Sequence, residues 1–120
     1  MIRLNHVNLR TADVEGMVRF YEDIVGLKSG PRPTFPFGGA WLYDDAAPAV
    51  HLVEVGAPLE TQAPRIEHFA FASQGLDAFI ARLEQRGIAH DLVVVPGSGV
   101  RLVNLSDPDG NHIHIDFPEG

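Results

Sequence analysis

The chain is written twice. Laying "LNHVNLRTADVEGMVRFYEDIVGL" over "IEHFAFASQGLDAFIARLEQRGI" at an offset of 62 residues puts His6 on His68, Val14 on Leu76, Met17 on Phe79, Val18 on Ile80 and Tyr21 on Leu83. One residue of slip then puts Gly26 on Gly87. Such a repeat constrains the fold more than any single motif, because each copy must form the same unit and bury the same face. Both copies read as strand, short turn, helix and glycine stop.

The local physics of the two copies agrees. Val14, Met17, Val18, Tyr21, Ile24 and Val25 fall on one helical stripe. Thr11 or Asp13 can cap its start, and Gly26 can end it in the left-handed conformation. Leu76, Phe79, Ile80 and Leu83 form the matching stripe, closed by Gly87. Strand-like runs follow each helix: "GAWLY" and "AVHLVEV" in the first copy, "HDLVVV", "VRLVNL" and "HIHIDF" in the second. The Pro-rich "SGPRPTFPFGG" is the one long loop. The prediction is an α+β chain of two βαβββ modules, 1–57 and 65–120, joined by a linker over 58–64. A half with one helix covers one face of its sheet, so the halves are expected to associate with each other or with a second chain.

The histidines follow the repeat. His6 and His68 lie on first strands, His51 and His114 on last strands, with spacings of 45 and 46 residues. Side chains two apart on a strand share a face. His114 therefore shares its face with His112 and Asp116, opposite Ile113, Ile115 and Phe117. His6 lies opposite Val7 and Leu9, His51 opposite Val50 and Leu52, and His68 opposite Phe69 and Phe71. The apolar faces suit packing under the helices. If the halves curve toward one cleft, the four imidazoles converge as metal ligands.

Composition narrows the chemistry. The chain has no cysteine, which excludes thiolate zinc, iron–sulfur clusters and a Cys nucleophile and leaves His, Asp and Glu as the strong ligands. Its net charge of −7 disfavours nucleic acid and anionic membrane as partners. No apolar run approaches the ~20 residues of a membrane span, and a cytoplasmic location is expected.

Together, "LNHVNLRTADVEGMVRFYEDIVGL", "AVHLVEV", "IEHFAF" and "DPDGNHIHIDF" resemble the vicinal oxygen chelate superfamily over essentially the whole chain. Its members include glyoxalases, extradiol ring-cleaving dioxygenases and bleomycin-binding proteins. The resemblance implies a glyoxalase-like fold of paired βαβββ modules with curved sheets, and a homodimer. It implies a divalent transition metal, with His6, His51, His68 and His114 at the ligand positions. It also implies a small-molecule substrate with two adjacent oxygens. Most metal-dependent relatives carry glutamate where His114 stands, and glyoxalases tend to have it where His51 stands. The expectation here is therefore a site of three or four imidazoles, suited to iron, zinc or nickel.

Within that frame His112 is the expected acid/base, since histidine titrates near neutral pH. Asp116 is a candidate partner of the ligands. Trp41, Tyr43, Phe37 and Arg101, with Phe35, are candidates for a substrate wall with a cation. Arg32 is a candidate gate, and His90 lies off the repeat pattern. The competing expectation is a metal-free protein that sequesters a small molecule, as bleomycin-binding relatives do.

Overall fold

The computed structural model describes residues 4–60 and 65–118. The chain divides into two compact units, Met1–Gln62 and Ala63–Gly120. Residues 61–64 of the expected linker lie outside the described residues.

In the first unit, β1 (Val7–Thr11) leads into α1 (Val14–Phe20), followed by β2 (Lys28–Gly30), β3 (Gly39–Tyr43) and β4 (Pro48–Glu54). The sheet order is β1-β4-β3-β2, with β1 parallel to β4 and the other pairs antiparallel. Asp13 caps α1 by accepting from the Gly16 amide at 3.0 Å, while Thr11 Oγ1 accepts from the Asp13 amide. Both proposed caps thus take part. The helix ends in a wide π-type turn, Tyr21–Val25. There the amides of Gly26 and Leu27 both donate to the Tyr21 carbonyl at 2.9 Å. Gly26 sits at φ +93°, where a side chain would be strained. Met17, Tyr21 and Ile24 of the expected stripe are buried, and Phe20 joins them. Val50 and Leu52 close the core from below.

The second unit repeats the plan: β5 (Phe69–Ala72), α2 (Leu76–Gln85), β6 (Asp91–Val94), β7 (Arg101–Ser106) and β8 (His112–Phe117), in the order β5-β8-β7-β6. Leu76, Phe79 and Leu83 of α2 are buried, as are Val103, Leu105, Ile113, Ile115 and Phe117 of the sheet. Phe79 meets Phe117 with ring centroids 5.5 Å apart. The turn before β8 is tied by buried Asp107. Its Oδ1 accepts from the amides of Asp109 and Asn111, and its Oδ2 accepts from Asn111 Nδ2.

The sheets match the expected parity. Val7 and Leu9 pair with Val50 and Leu52, and Phe69 and Phe71 pair with Ile113 and Ile115. His51, His112 and His114 occupy the other face, whereas His6 and His68, expected on the first strands, stand one residue before β1 and β5. One strand was not anticipated: Lys28–Gly30, partly inside the expected Pro-rich loop, pairs with β3. Gly30 permits this because the Tyr43 ring crosses it. A Cβ at position 30 would stand 2.7 Å from that ring.

Candidate metal centre

In the first unit the chemistry gathers on β4. Because β4 lies between β1 and β3, His51 has His6 on one side and Trp41 on the other. The His6 and His51 rings stack at 3.8 Å with planes 9° apart, and Trp41 stacks on His51 at 4.1 Å and 13°. His6 Nδ1 donates to Asn5 Oδ1 at 2.6 Å. His51 is buried, and its Nε2 has no hydrogen-bond partner. Burial holds the His51 pKa below the ordinary histidine value, and a charge on His6 would lower it further. A hydrogen bond to the Pro48 backbone opposes both.

In the second unit three imidazoles meet two carboxylates. His68 Nδ1 donates to Glu67 Oε1 at 3.0 Å, and His112 Nδ1 donates to Glu67 Oε2 at 2.5 Å. His112 Nε2 lies 2.7 Å from Asn104 Oδ1. His114 Nδ1 donates to Asp116 Oδ1 at 2.5 Å. The His68 ring centroid is 4.5 Å from that of His114 and 5.1 Å from that of His112. The His112 hydrogen bond, then that of His68, holds the Glu67 carboxyl below the ordinary carboxylate range. Glu67, His68 and His112 offer ligand atoms all within 4.8 Å of one another, so this group can hold a metal ion.

The expected residues are therefore sorted by unit. His6 and His51 are brought together in the first, and His68, His112 and His114 in the second. Each of His6, His68 and His114 has Nδ1 engaged by a close sequence neighbour, a pattern that presents Nε2 as the ligand nitrogen. In the first unit the orphaned His51 Nε2, and in the second the Nε2 atoms of His68 and His114, are donors of the kind a transition-metal ion takes.

Three positions differ in surroundings from what the sequence suggested. Glu67 brings a carboxylate to His68 and His112 and holds their Nδ1 atoms. Glu67 precedes β5, which begins at Phe69, so strand alternation does not govern its position. A usable signal was present: at the repeat offset Glu67 stands on Asn5, and both touch the histidine that follows. His112, expected as an acid/base, has both ring nitrogens engaged. Arg101 pairs with Phe117 and shares the helix side of the sheet with Val103 and Leu105, away from the histidines. It lines a surface hollow with Asp77 and Pro118.

The aromatic candidates form a run in the first unit. Phe37 stacks on Phe35 at 4.9 Å, and Phe35 lies 6.4 Å from Trp41. Arg32 sits over both phenylalanines and donates to the Phe37 carbonyl. The Tyr43 hydroxyl donates to the Pro31 carbonyl at 2.5 Å, so Tyr43 fastens the loop rather than leaving its hydroxyl free. His90 lies apart, with Nδ1 bonded to the Ile88 carbonyl.

Residues 3–115 match the model of the Glyoxalase/Bleomycin resistance protein/Dioxygenase superfamily. The Arabidopsis thaliana protein Glyoxylase I 4 is 28% identical over 120 residues, covering 93% of this chain and 68% of that protein. A glyoxylase/bleomycin resistance protein/dioxygenase domain from Frankia shares the fold with a TM-score of 0.80 at 18% identity, over 98% of each chain. An antibiotic-binding protein from Streptomyces gives a TM-score of 0.71 at 26% identity, over 99% of this chain and 98% of that one.

Proposed function

The chain belongs to the Glyoxalase/Bleomycin resistance protein/Dioxygenase superfamily, and from that membership we propose that it is a metal-dependent enzyme acting on a small substrate with two adjacent oxygen atoms. The reaction is of extradiol-dioxygenase or glyoxalase type. The observation that carries this reading is the buried, unpartnered Nε2 of His51. A buried polar atom without a partner costs ~1–3 kcal/mol, and a metal ion is a partner that would offset that cost.

The proposed ligands are His6 and His51 in the first unit and His68 and His114 in the second, each through Nε2. When bound, a divalent iron, zinc or nickel ion would supply Lewis-acid stabilisation to negative charge developing on the substrate oxygens. The protein's own part is orientation. Asn5, Glu67 and Asp116 hold the Nδ1 atoms, and Trp41 stacks on His51 to keep its ring in place. Trp41 and Phe37 are the proposed substrate wall, with Tyr43 fixing the loop that carries it. We further propose a homodimer in the cytoplasm.

Metal analysis tests the reading directly. Purified protein offered Fe, Ni, Zn, Mn and Co in turn should retain at least one, and His51→Ala and His68→Ala should reduce retention. Binding of none would end the proposal. Oxygen uptake with a panel of catechols separates the dioxygenase from the isomerase reading.

A second reading is favoured by the ring run Phe37–Phe35–Trp41–His51: a metal-free binder of a flat molecule. It predicts ligand affinity that survives His6→Ala with His68→Ala but falls with Trp41→Ala.

A further inference from the structure

One carboxylate in the second unit serves two imidazoles. Glu67 gives Oε1 to His68 Nδ1 and Oε2 to His112 Nδ1. An ionised carboxylate only accepts hydrogen bonds, so each facing nitrogen must carry its proton.

The far side of His112 is consistent with this in either orientation of Asn104. With the Asn104 oxygen toward Nε2, the ring is a cation that donates from both nitrogens. With the amide turned over, Nδ2 donates to a bare Nε2 and the ring is neutral. His112 carries Nδ1–H in both cases. Because His112 is held from both ends, it cannot swing away, and it fixes the carboxylate that in turn fixes His68.

We propose that Glu67 is a positioning residue that sets the tautomer of His68, locking the proton on Nδ1 and leaving the Nε2 lone pair free, with His112 and Asn104 as its braces. A neutral histidine can carry its proton on either nitrogen, and only the Nδ1–H form presents Nε2 as a donor to a cation. The repeat sharpens the point. Asn5 stands where Glu67 stands in the second copy and holds His6 Nδ1 with a neutral amide oxygen. A carboxylate raises the basicity of the imidazole it holds, so His68 is the stronger ligand of the equivalent pair. This last step rests on the metal-binding reading; the tautomer does not.

The experiment reads the tautomer without metal. Long-range 1H–15N correlation of the histidine side chains is recorded on metal-free protein about two pH units above ~6.5, where free imidazole is neutral. Wild type should show His68 as the Nδ1–H form. Glu67→Ala should lose that preference. Glu67→Gln can accept from one ring only and must donate to the other, so it should drive one of His68 and His112 to the Nε2–H form. Glu67 is well exposed, which keeps both variants foldable, and the Gln variant preserves shape. Zn or Ni affinity should fall ~10–100-fold in Glu67→Ala. An Nε2–H His68 in wild type, or an unchanged tautomer in both variants, would overturn the proposal. A tautomer that shifts as expected in a protein that binds no metal sustains the positioning role and removes the metal reading instead.

Discussion

The imidazole of His51 lies parallel to that of His6, ring centroids 3.8 Å apart. Two neutral rings can share that arrangement; two cations repel. His51 is the ring that gives way, because it is buried and has Trp41 on its other side.

This fixes a pH dependence. The folded His51 pKa is lowered, first by burial and then by His6. The unfolded chain therefore takes up the proton first. The stability linked to His51 is fully present above the unfolded value of ~6.5 and is lost as pH falls toward and through the lowered folded value. Melting temperatures between pH 7.5 and 5 should drop less in His51→Gln than in wild type. In His6→Gln, an NMR titration should move the His51 pKa part of the way back up, since burial remains. An unmoved His51 titration would show that the stacked neighbour carries no electrostatic weight.

The turn before β8 is a second point of control. Asp107 accepts three hydrogen bonds within Asp107–Asn111, and this turn sets where β8 starts and hence where His112 and His114 stand. Asp107→Ala leaves two amides and one side-chain donor without their acceptor. A loss of ~1–3 kcal/mol is expected for the buried part of that deficit. Urea unfolding should show a lower midpoint, and the amides of Asp109 and Asn111 should exchange faster with solvent.

Phe117 ties the helix to the sheet in the second unit. It is 1% exposed, and its ring meets Phe79 of α2. Truncating it to Ala should cost ~3–5 kcal/mol through lost burial and the cavity left behind. Calorimetry would test this. A loss below ~1 kcal/mol would mean the helix repacks onto the sheet without it.

Much of this architecture was legible because it rests on periodicity. The stripe from Met17 to Ile24 and the alternation of His112–Phe117 follow from burying one face, and the repeat checks each copy against the other. The parts that were not legible lie where periodicity stops. Lys28–Gly30 is too short and polar to read as a strand; it forms because Gly30 lets the Tyr43 ring pass. Glu67 was missed because it precedes its strand, where alternation carries no information. Arg101 shares parity with Val103 and Leu105, which sets it on the face away from His112 and His114. His112 shared the correct face, but only the structure shows Glu67 and Asn104 engaging both of its nitrogens.

His114 offers the most informative single change. Its Nδ1 donates to Asp116 Oδ1, and its side chain is largely buried at 13% exposure. His114→Glu introduces the residue that the family resemblance implies at this ligand position. In metal-free protein it also sets one carboxylate against another with no proton donor between them. Loss of the hydrogen bond and the added repulsion should destabilise the apoprotein by ~1–3 kcal/mol. A bound cation reverses the sign of that effect, because the same two carboxylates then face positive charge. Added metal should therefore raise the melting temperature of His114→Glu more than that of His114→Gln. A carboxylate in place of an imidazole should also move the metal preference toward iron and manganese and away from zinc, nickel and copper. Thermal shift with each metal in turn reads both effects. If His114→Glu melts with the wild type in the absence of metal, the Asp116 contact has no part in holding that ring. If metal rescues the Glu and Gln variants equally, position 114 is not a ligand.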